Sequence, residues 1–146
     1  MHRFTIRVRY CDTDQMGFAH HGNHLSWFEI GRTEMMRSLG RSYREIEARG
    51  IWLPVLEARC RYVRPARYDD DLVIETGVLE LERASVRFGY RVRRVGTDEL
   101  VAYGETEHCY MSPAQRPVRP PQELLDLLKR APAATLPEVD RARDVG

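Results

Sequence analysis

A single long apolar-faced segment, about His24 to Leu39, sits in a chain that otherwise offers only short helices and stretches of two-residue alternation. This imbalance constrains the fold more than any other feature. Leu25, Phe28, Met35, Met36 and Leu39 recur near helical spacing, and Trp27 and Ile30 widen the face. Asn23 stands where a helix cap is expected and Gly40 where the helix should stop. The first half is apolar nearly all round, so this helix needs burial on more than one side. Ser42-x-x-Glu45 has capping-box spacing and opens a short helix that ends by Gly50. The period then drops to two over Ile51 to Val63, Leu72 to Leu81, Ser85 to Val95 and Leu100 to Met111, as it does earlier over Phe4 to Tyr10. Pro54 puts the start of its strand at a sheet edge or a bulge. Successive strands with short turns are expected to pair as an antiparallel meander. The long helix then has only that sheet to bury against. The expectation is an α+β domain, an antiparallel β-sheet wrapped around a long central α-helix.

The 146 residues fit one compact domain over 1–130, closed by a short amphipathic helix from Pro120 to Lys129. The Pro- and Ala-rich stretch 131–146 reads as a frayed tail. Lys and Arg number 23 against 22 Asp and Glu, so overall charge gives no argument for a nucleic-acid partner. Cys11, Cys60 and Cys109 are an odd, widely spaced set, poor material for disulfides or a zinc site, and point to free thiols in a reducing compartment. Cys11, at a strand end, reads as a buried thiol. The N-terminal residues lack a signal-peptide core and no apolar run is long enough to span a membrane, so a cytoplasmic location is expected.

The loop Cys11 to Gly22 carries the chemistry. Asp12, Asp14, Gln15, His20 and His21, followed by Asn23 and His24, crowd the approach to the long helix. A helix N-terminus presents free N–H groups and positive potential, which suit an anion or a developing oxyanion. A carboxylate just upstream can attack a bound carbonyl or activate a water. Asp12 reads as a turn residue bonding backbone N–H groups. The histidines match no standard zinc spacing, and a helix N-terminus repels cations, so no metal site is expected. Arginines at 59, 61, 64, 67, 87, 91 and 93 alternate with apolar residues and read mostly as a solvated outer face.

The run Arg9-Tyr10-Cys11-Asp12-Thr13-Asp14-Gln15-Met16-Gly17-Phe18-Ala19-His20-His21-Gly22-Asn23-His24-Leu25 resembles the signature of the 4-hydroxybenzoyl-CoA thioesterase family, and more closely its Tol–Pal-associated acyl-CoA thioesterase branch. Phe28-Glu29-x-x-Arg32-Thr33-Glu34 is similar to that branch's helix, and Tyr62-x-x-Pro65-Ala66-Arg67-Tyr68-Asp69-Asp70 to a later turn. His20 and His24 depart from it, each standing where the branch has Tyr. The resemblance implies a hot-dog fold and hydrolysis of an acyl-CoA with no cofactor, coenzyme A being part of the substrate. It places the catalytic carboxylate on Asp14 and the oxyanion donors at the backbone N–H groups of His21 and Gly22, with a side-chain role for His21 left open. Gly17 and Asn23 are implied substrate contacts, and Arg64 and Arg67 are candidates for the CoA phosphates. It further implies a homodimer or homotetramer with active sites at the subunit interface, and acyl-carrier protein is a second candidate partner. Two alternatives stand beside it: a non-catalytic acyl-CoA or acyl-carrier-protein binding module, and a hot-dog hydratase or dehydratase using a histidine with a carboxylate.

Overall fold

The computed structural model describes residues 1–138, the side chain of Tyr43 excepted; of the expected tail, residues 139–146 lie outside the described residues. Strand β1 (His2–Arg7) leads through a 3-10 turn (Tyr10–Asp12) and the polar loop into helix α1 (Asn23–Ser38). A short helix α2 (Tyr43–Ala48) follows, then strands β2 (Val55–Tyr62), β3 (Asp71–Leu81), β4 (Ser85–Arg94) and β5 (Leu100–Cys109), and helix α3 (Gln122–Arg130). The expected α+β architecture is present: five antiparallel strands in the order β1-β3-β4-β5-β2, with α1 lying against the inner face.

The meander covers only β3 to β5. β2 does not pair with its sequence neighbour β3 but lies at the far edge against β5, with a bulge near its start as Pro54 suggested. The cause is the 63–70 connection, which is no hairpin turn: Ala66 and Arg67 pair instead with the polar loop. The sheet therefore has two edges, β1 and β2.

Helix α1 buries His24, Trp27, Phe28, Gly31, Arg32, Met35 and Met36, one face at helical spacing. Leu25 and Ile30, expected to be part of the buried face, are exposed within this chain, as are Val55 and Leu56 on β2. Phe28 stacks on Tyr90 with centroids 4.5 Å apart, which seats the helix on the middle of the sheet. Gly40 ends the helix as expected, at φ 99°. The Ser42 side chain accepts from Glu45 N–H at the start of α2.

Of the alternating arginines, Arg59, Arg61, Arg64 and Arg67 are exposed as expected, whereas Arg87, Arg91 and Arg93 are half-buried and ion-paired on the outer face. Arg3, Arg91 and Arg93 converge on the buried Glu75, and Arg87 bridges Glu80 and Glu105. The stretch expected to fray begins with an ordered pairing. Val78 N–H donates to Pro132 O and Ala134 N–H to Val78 O, both at 2.8 Å, extending the sheet where β1 has ended.

One polar chain crosses the core. Arg32 Nη1 donates to Tyr90 Oη (3.0 Å), which lies 2.6 Å from Thr106 Oγ1, itself 2.8 Å from His108 Nε2; His108 Nδ1 lies 2.9 Å from Leu53 O. A carbonyl can only accept, so His108 carries its proton on Nδ1 and Thr106 donates to Nε2. Protonating His108 would break that bond and place a second charge near Arg32. Accordingly burial, reinforced by Arg32, lowers His108 from 6.5 to about 4. The unfolded chain takes up this proton first, so stability is full above the unfolded value and is lost as pH falls towards the folded one. The loss expected by pH 4 is about 3 kcal/mol. Thermal melts should show a Tm that declines between about pH 6.5 and 4, with a slope reduced in His108→Asn; equal slopes in the two proteins would refute the assignment.

Candidate active site

Asp12 organises the loop. It is 3% exposed, and its carboxylate accepts from Arg9 N–H at 2.8 Å and from the Arg9 guanidinium at 2.9 Å. Burial disfavours its charge, but the Arg9 hydrogen bonds and charge outweigh this and hold it below the usual carboxylate range. Its backbone carbonyl accepts from His20 N–H and from Asn23 Nδ2, both at 2.7 Å, pinning the loop's start to its end. Asn23 is thus not the cap that its position suggested. It is the first helical residue, with Gly22 before it, and its amide is committed to the loop. Cys11 also departs from expectation. The 3-10 turn directs Asp12 inward and leaves Cys11 exposed.

Between these anchors the chain makes a small hairpin. Thr13 bridges Ala19, Asp14 N–H donates to Phe18 O at 2.9 Å, and Gly17 N–H to Asp14 O at 3.0 Å. Gly17 sits at φ 80°, a conformation that glycine adopts without strain, so its evident task is to close this turn. Asp14 Oδ1 accepts from Met16 N–H at 2.9 Å, orienting the carboxylate. The hairpin is stapled to the 63–70 connection by Ala19 N–H to Ala66 O at 2.7 Å and by the Arg67 guanidinium over the Phe18 ring at 4.8 Å.

The result is a cleft of about 340 Å³ between hairpin, helix start and the end of β2. Its polar wall is Asp14, His21, His24, Tyr62 and Arg64, and its apolar wall includes Met16, Phe18, Val63 and Ala66. Of the residues singled out from sequence, Asp14, His21 and Arg64 meet here. Gly17, Gly22, Asn23 and Arg67 do not line it, though Gly22 directly follows His21. Arg64 is also engaged by Glu99 at 2.9 Å.

The helix start has features that the sequence did not announce. Gly22 N–H donates to His20 Nδ1 at 3.1 Å, so an incoming oxygen must displace this ring to take the Gly22 N–H. The His21 carbonyl accepts from Tyr62 Oη at 2.8 Å and is contacted by His24 Nδ1 at 3.1 Å. The His24 ring packs between Trp27 (tilted, centroids 4.6 Å apart) and Tyr62 (edge-on, 4.7 Å). Burial lowers the pKa of His24, the first of the opposing influences on it. The sequence motifs give neither Tyr62 nor His24 a site role. Tyr62's place three residues before Pro65 in the second motif was the available signal. Among the described residues no group of three or more His, Cys, Asp and Glu side chains is placed to hold a metal ion.

Residues 16–101, more than half of the chain, match the thioesterase superfamily. The chain belongs to that superfamily. It is similar to the acyl-CoA thioester hydrolase YbgC of Escherichia coli O6:H1, 33% identical over 90 residues, 62% of this chain and 67% of the relative. Among solved structures, a hypothetical protein from Aquifex aeolicus superposes with a TM-score of 0.83 at 33% identity, covering 88% of this chain and 99% of that one. The DHNA-CoA thioesterase of Staphylococcus aureus superposes with a TM-score of 0.80 at 29% identity, covering 87% and 85%. These likenesses establish the hot-dog thioesterase fold and make this superfamily member an enzyme, a thioester hydrolase. No helix among the described residues is long and apolar enough to cross a membrane.

Proposed function

We propose that this protein hydrolyses an acyl-CoA thioester to the free carboxylic acid and coenzyme A, with Asp14 as the reacting carboxylate. The observation that carries this reading is that Asp14 shares one cleft with His21, at the positive end of α1. As a general base, Asp14 takes a proton from water while the water oxygen adds to the acyl carbon. As a nucleophile, it adds itself, expels the thiolate, and leaves a mixed anhydride for water to cleave. In both cases the carbonyl oxygen gains charge, which the His21 and Gly22 N–H groups can stabilise. The thiolate leaves and is protonated. No cofactor takes part beyond the coenzyme A of the substrate.

The YbgC likeness favours the Tol–Pal-associated branch. The proposed substrate pool is cytoplasmic acyl-CoA, with acyl-carrier protein as a second candidate donor. Arg64, at the cleft rim, is the better candidate for a CoA phosphate than Arg67, which is committed to Phe18. A homodimer or homotetramer is supported by the exposed β2 edge and by the apolar Leu25, Ile30, Val55 and Leu56 left uncovered in one chain. Free-thiol release from acyl-CoAs of graded length, with one aromatic thioester included, tests the activity. Turnover of at least one substrate is expected. Binding of a non-hydrolysable analogue with no thiol release from any substrate would instead make this a binding module.

A further inference from the structure

We infer that Tyr62 and His24 are positioning residues that hold the His21–Gly22 peptide as the donor to the acyl oxygen. This rests on the thioesterase reading and extends it to two residues that touch neither the acyl carbon nor the attacking group. A trans peptide is planar, and its C=O and N–H point in opposite directions. The bonds to the His21 carbonyl, from Tyr62 Oη (2.8 Å) and from His24 Nδ1 (3.1 Å), therefore fix where the Gly22 N–H points. A carbonyl only accepts, so His24 bears its proton on Nδ1. Tyr62 is likewise a donor throughout the neutral range, since burial and the neighbouring Cys60 push its hydroxyl up to about 12. Hydrogen bonds at the carbonyl also polarise the peptide and strengthen the N–H at its far end.

The far end already has an acceptor. His20 Nδ1 receives the Gly22 N–H at 3.1 Å, and its ring lies against His21 with centroids 4.1 Å apart. His20 thus occupies the place of the substrate oxygen in the free protein. The clamp explains the second departure from the family pattern as well: at position 24 a histidine supplies, within the same turn, a donor that reaches the carbonyl three residues earlier.

The test compares Tyr62→Phe and His24→Phe, which keep a ring in the cleft wall and remove the donor, with Asp14→Asn and wild type. Each substitution at the clamp should lower kcat roughly tenfold with KM changed less than about twofold, as for loss of a contact made mainly in the transition state. The amide ¹⁵N resonance of Gly22 should also shift in both variants while those of β3 and β4 stay in place. An active wild type and an inactive Asp14→Asn, combined with full kcat in both clamp variants, would overturn the clamp and leave the thioesterase reading intact. An inactive wild type, or an Asp14→Asn variant as fast as wild type, would overturn that reading and the clamp's catalytic role with it. The Gly22 shift tells the two failures apart, because it reports the clamp without turnover.

Discussion

Asp14→Asn should abolish most thioester hydrolysis while leaving the fold untouched. The substitution keeps the size of the side chain and an oxygen to accept the Met16 N–H, so the hairpin from Thr13 to Ala19 has no reason to open. It removes the negative charge and, with it, both the nucleophile and the base. A loss of kcat of at least about a hundredfold is expected, the scale on which positioned acid–base groups contribute. KM should change little, since the amide still lines the cleft, and Tm should stay close to that of wild type. Steady-state thiol release and a thermal melt of both proteins decide the matter. A variant with wild-type turnover would remove Asp14 from the chemistry, whatever the family pattern implies.

The periodicities in the chain carried most of the architecture, because period reports which face a residue occupies. They do not report which strand lies beside which. The placement of β2 at the far edge depended on the 63–70 connection being tied to the Thr13–Ala19 hairpin, a tertiary contact with no local signal. The same limit applies to Leu25 and Ile30. Helical spacing identified them as apolar, and only the packed chain revealed that they face outward. In the loop, Asp14 and His21 were legible through motif spacing, and the structure brought both to one cleft. Asn before an apolar run signals a cap, but the Asn23 amide is drawn away by Asp12 O, which no local pattern announces. The His20 ring on the Gly22 N–H and the Tyr62 bond to His21 are matters of rotamer and of long-range strand position. Neither leaves a periodic trace.

That dependence of the site on strand position makes Gly104→Ala the most damaging single-methyl change expected in the fold. Gly104 stands on β5 opposite Cys60 of β2. A Cβ there would overlap the backbone carbonyl of Arg59 and lie 2.8 Å from Phe28 Cε2. Phe28 has no room to retreat, being fully buried and stacked on Tyr90. The strand must yield instead, and β2, an edge strand paired on one side only, is the element able to do so. Overpacking of this kind costs typically about 1–3 kcal/mol, and more where backbone is the obstacle. Because Tyr62, Val63 and Arg64 form one wall of the cleft at the end of β2, the displacement should also carry Tyr62 off the His21 carbonyl. Gly104→Ala is therefore expected to lower Tm by several degrees, to speed amide exchange across 55–62 relative to β3 and β4, and to reduce kcat in the same direction as Tyr62→Phe. Wild-type Tm with undiminished protection of β2 would mean that the strand does not approach Gly104 as closely as described. Loss of stability with full kcat would instead separate the position of β2 from catalysis, and with it the route by which an edge strand governs the acyl-oxygen donor.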